Sequence, residues 1–64
     1  MGSLELNNIL TMLVSALREK LNLSVENAVA IVMLSSTAAG LQSGAIAERN
    51  IATLTNSILA EVNC

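Results

Sequence analysis

The sequence predicts an all-α chain of three helices that assembles with further copies of itself into an intertwined helical bundle, a dimer being the simplest form. Three observations carry this. There is no proline, and glycine occurs only at 2, 40 and 44, so few positions interrupt a helix. Apolar residues recur at three- and four-residue spacing along most of the chain. Hydrophobic residues make up 53% of the 64, yet none is Phe, Tyr or Trp, so any core is built from Leu, Ile, Val, Met and Ala.

The first helix is expected from about residue 4 to 21. Ser3 is a candidate N-cap and Glu5 a first-turn anion. Arg18 and Lys20 sit where the helix dipole favours cations, and Asn22 can take the left-handed conformation that ends a helix. Leu6, Leu10, Leu13, Leu17 and Leu21 form one stripe. Ile9, Met12 and Ala16 form a second wing, so the apolar arc spans roughly 200°, twice the width of an ordinary surface stripe. A face that wide needs two neighbours.

The second helix is expected from about 24 to 39. Ser24 is its N-cap, Glu26 its first-turn anion, and Leu23 with Ala28 a hydrophobic staple. Residues 28–34 form an unbroken apolar run, which predicts a helix buried all round. The β-branched Val29, Ile31 and Val32 also fit a buried strand, but no second segment exists to pair with it. The Ser35-Ser36-Thr37 cluster is expected to bond back to carbonyls one turn earlier. Gly40 is expected to stop the helix, with residues 40–44 as a turn. The third helix then runs from about 45 to 62, with Ser43 as cap. Its seam is Ala47, Ile51, Leu54, Ile58 and Val62.

A chain this short buries only about 60% of its unfolded surface, and small domains usually add disulfides, metal or a second copy. With one cysteine and no histidine, oligomerisation is the remaining route. The expected self-association residues are Ile9, Met12 and Ala16 of the first helix against Ile31 and Leu34 of the second.

Catalysis is not expected, because His, Asp and Tyr are absent and these carry much of general acid–base chemistry. Glu5, Glu19, Glu26, Glu48 and Glu61 read as helix-dipole and solubility residues. A Ser–Lys dyad of Ser24 and Lys20 would straddle a helix boundary. No metal site and no cofactor is expected. Cys64 reads as a dispensable terminal thiol that fits a reducing, cytoplasmic setting. Gly2 lacks the Ser or Thr at position 6 that a myristoylation signal uses.

The function expected is a protein–protein interaction or regulatory adaptor module whose partners are itself and another protein. Two alternatives come from other classes. Residues 27–47 carry no charge and contain Gly40-Leu41-Gln42-Ser43-Gly44, which suggests a small membrane-active, holin-like protein. Polar residues within the stretch and the lack of an aromatic belt weigh against it. Arg49, Asn50, Thr53 and Asn56 could face DNA in a helix-turn-helix. With three basic residues on a chain of net charge −2, nucleic acid is not expected as a partner.

Overall fold

A computed structural model describes residues 3–63; Cys64 and the Gly2 considered for acylation lie outside them. Every regular element among the described residues is helical, and there are four helices rather than three. They are α1 (Ser3–Leu21), α2 (Val25–Leu34), α3 (Ser36–Ser43) and α4 (Ile51–Val62).

α1 follows the expected span, but Ser3, read as its cap, is its first helical residue. It ends as its sequence requires. Asn22 has φ 54°, and the Leu23 amide closes back on the Arg18 carbonyl at 3.2 Å. Ser24 then starts α2, its hydroxyl accepting from the Asn27 amide at 3.2 Å. Of the two residues of the expected staple, Ala28 is buried and Leu23 half-buried.

The expected second helix is broken in two at Ser35. That residue leaves the helical region (φ −75°, ψ 151°) and serves as C-cap of α2 and N-cap of α3. Its hydroxyl donates to the Val32 carbonyl at 2.6 Å, as a back-bonding serine does, and accepts from the Ala38 amide at 3.0 Å. One side chain thus satisfies an orphan group on each of two helices.

Gly40 is not the stop. α3 runs on to Ser43 and ends at Gly44, whose φ of 82° suits glycine. Gly40 instead makes room: a Cβ there would meet Ile46 Cγ1 at 2.6 Å. The chain folds back over it, with the Ile46 amide on the Gly40 carbonyl at 3.0 Å. Residues 46–50 are not helical, so α4 begins six residues later than expected. Asn50, not Ser43, is its cap, accepting from the Thr53 amide at 3.1 Å.

The core joins all four helices. Leu13 and Leu17 of α1, Val32 of α2, Ala38 and Leu41 of α3, and Leu54 and Ile58 of α4 are buried together. Ile51 and Leu59 pack against its edge, whereas Ala47 and Val62 of the expected seam are exposed. Thr55, read as part of no seam, is buried with its hydroxyl unpartnered among the described residues. The accessible surface of 4077 Å² is close to the roughly 3,900 Å² that size scaling assigns a folded monomer. One chain therefore closes its own core.

The Gly40–Ile46 contact gives a direct test. Gly40→Ala forces Ile46 off its seat and is expected to cost about 1–3 kcal/mol in urea unfolding. Ile46→Ala in the same background should make the alanine at 40 much less costly, a non-additivity readable as a double-mutant cycle. Additive effects would show that Ile46 does not sit over Gly40.

Candidate functional site

The polar inventory is largely occupied with holding the fold. Ser24, the serine of the imagined Ser–Lys pair, accepts the Asn27 amide as a cap. No group of three or more metal-ligating side chains is assembled among the described residues. Of the polar residues considered for DNA, Asn50 and Thr53 are joined in the α4 cap. Arg49 reaches the carbonyls of Ile46 and Glu48 at 3.4 and 3.2 Å, and its Nε lies 3.7 Å from Glu5. The link from α3 to α4 occupies residues 44–50, longer than the three- or four-residue turn of a helix-turn-helix.

Glu61 is more than a solubility residue. Its carboxylate accepts from the Ser36 amide at 2.7 Å, the Thr37 amide at 3.2 Å and the Thr37 hydroxyl at 2.6 Å. It is a capping anion for α3 supplied from the end of α4, where the helix dipole of α3 favours negative charge. The Thr37 hydroxyl, followed by the Ser36 and Thr37 amides, holds the Glu61 carboxyl below its ordinary range against an opposing desolvation effect. The sequence signal was faint: Ser36 and Thr37 lie in an apolar stretch, and a tertiary cap has no fixed spacing.

The surface that no polar role explains is apolar. α2 is not buried all round; only Ala28 and Val32 are fully covered. Val25, Val29, Met33 and Leu34 are 50, 40, 49 and 87% exposed, and Ala30 shares their side. α2 is ten residues long, ends at the Ser35 break and turns inward only the side that bears Ala28 and Val32. Glu26 and Asn27 are the only polar side chains on α2.

The five residues expected to self-associate do not form one surface. Ile9 is 5% exposed and belongs to the chain's own core, so the absence of cover within the chain does not hold for it. Ile31 packs against the edge of that core, and Ala16 is half-buried. Met12 and Leu34 face solvent. Met12 lines an open groove of about 520 Å³ between the first half of α1 and the start of α4, with Leu4, Ile9 and Ile51 as its apolar walls and Glu5, Asn8 and Arg49 at its edge. A second, polar depression at Ser15, Arg18, Glu19, Asn22 and Leu23 marks the α1–α2 turn. Val29 and Met33 were missed as surface residues because the unbroken apolar run of residues 28–34 reads as interior.

Comparison with protein families, with curated proteins and with solved structures returns no match for this chain.

The Glu61 cap makes stability depend on acid. A carboxyl whose pKa is lowered by folding contributes stability above its unfolded value, and that contribution is lost as pH falls through the folded value. The urea midpoint of the wild type is expected to fall between pH 7 and pH 3 by more than that of Glu61→Gln. At pH 7 the variant should be less stable by roughly 0.5–2 kcal/mol, the scale of a lost cap. Equal acid sensitivity of the two proteins would show that Glu61 carries no such linkage.

Proposed function

We propose that this chain is a non-catalytic helical interaction module that self-associates, with the outward face of α2 as the contact, and that it acts as an adaptor or regulator of another protein. The observation that supports this reading is the exposure of Val25, Val29, Met33 and Leu34 on one helix. Four large apolar side chains on one ten-residue helix form a patch on the order of a few hundred Å², at the upper end of what monomers leave uncovered. Scattered surface leucines need no explanation, but a contiguous face does.

Magnitude indicates what kind of association this is. Full burial of a large aliphatic side chain is worth about 1.5–3 kcal/mol, and these four are already partly covered. The gain is therefore several kcal/mol per chain. Association itself costs about 4–15 kcal/mol in lost freedom and ordering. The α2 face alone supports a weak, reversible contact, which suits a module that exchanges partners. The membrane-active and DNA-binding alternatives have no comparable support. No described helix is long and apolar enough to cross a membrane, and the polar side chains at the start of α4 are engaged locally.

Light scattering across a concentration series tests the reading. The wild type is expected to exceed the single-chain mass as concentration rises towards the millimolar range. Val29→Glu is expected to remain at the single-chain mass with an unchanged helical circular dichroism spectrum. A wild type that stays a single chain throughout would overturn self-association.

A further inference from the structure

We propose that the Met33 thioether is a modification site, and that its oxidation by a hydroperoxide weakens self-association at α2. This rests on the self-association reading and deepens it by naming a chemical control of the same surface.

The chain has few groups that a mild oxidant attacks. It holds no His, Trp or Tyr, and its one cysteine, Cys64, lies outside the described residues. Among the described residues, the thioethers of Met12 and Met33 remain. Neither is in the core. They are 48 and 49% exposed, and access to the sulfur governs how readily it is oxidised. Met12 lines the groove between α1 and α4. Met33 stands on the outward side of α2 with Val25, Val29 and Leu34.

The step is an oxygen transfer. The sulfur lone pair attacks one peroxide oxygen, the O–O bond breaks and an S–O bond forms. The proton of the transferred oxygen passes to the departing one, so hydrogen peroxide leaves as water. Sulfur is oxidised to the sulfoxide and the peroxide is reduced.

The sulfoxide changes what the face can bury. A flexible apolar side chain becomes a polar one whose oxygen accepts hydrogen bonds. On the free chain, water supplies the donor. In the contact there is none, because Val25, Val29, Ala30 and Leu34 have apolar side chains, and a second copy that presents the same face brings the same groups. Glu26 lies about two turns before Met33 on that side, and its carboxylate only accepts. An acceptor taken out of water without a donor opposes the contact.

Peroxide treatment followed by light scattering tests this. Once the peroxide is removed, dithiothreitol is added to reopen any disulfide at Cys64; it leaves the sulfoxides in place. Peptide mass spectrometry reads the added oxygen at each methionine. Leucine is close to methionine in volume, so Met12→Leu isolates the Met33 thioether and Met33→Leu removes it. Oxidised Met12→Leu is expected to associate about tenfold or more weakly than the same protein untreated. Met33→Leu given the same treatment is expected to associate as it did before, and circular dichroism should show both still helical. A Met33 that resists oxidation, a Met33 sulfoxide form that associates like its parent, or an equal loss in Met33→Leu overturns the proposal while leaving association through α2 standing. A wild type that never associates before treatment removes both.

Discussion

Ser35 is the residue on which the arrangement depends. In an uninterrupted helix the run from Val25 to Ser43 would be a rod with apolar residues on most sides, and the two other helices of the chain cannot enclose it. By leaving the helical conformation, Ser35 ends α2 and starts α3 with one hydroxyl bonded to both. Two short helices can then each turn one side inward, Val32 from the first and Ala38 and Leu41 from the second. Glu61 fixes the junction from the far end of the chain, through three hydrogen bonds to Ser36 and Thr37. The break is thus tied to α4 as well as to its own neighbours.

Beyond the break, the outward side of α2 is apolar and exposed. A core of aliphatic residues alone carries less area per side chain than one with aromatics, so many residues must be committed to it. The chain commits most of α1's inner face, the inner faces of α3 and α4, and one side of α2. What remains of α2 is apolar and wet. Small domains have only about 5–15 kcal/mol of net stability, and this one reaches a monomer's compactness without covering that face.

Local signals were legible where chemistry acts over one turn. Asn22 as a left-handed stop, Ser24 as a cap and the Leu54–Ile58 seam could all be read from residue type and spacing. The helical character of the whole followed from the lack of proline and the periodicity. Ser35 was not legible as a break, because serine inside an apolar run is equally compatible with a helix that bonds back on itself. Gly40 misled for a related reason: glycine marks a helix stop or a close approach, and only the path of Ile46 distinguishes them. The late start of α4 followed from that error. Ile9 and Met12 share a wing on the helical wheel, yet Ile9 belongs to the core and Met12 is half exposed beside a groove. Which of two adjacent residues is covered depends on where the neighbouring helix starts, and spacing alone does not carry that information.

The account stands or falls on whether the outward side of α2 touches another copy. An isotope-filtered nuclear Overhauser experiment on an equal mixture of labelled and unlabelled chains measures this contact atom by atom. The account predicts intermolecular cross-peaks from the methyl groups of Val25, Val29 and Met33 at concentrations where the mass exceeds one chain. Intermolecular cross-peaks confined to other faces, or their complete absence from α2 in an associated sample, would contradict it.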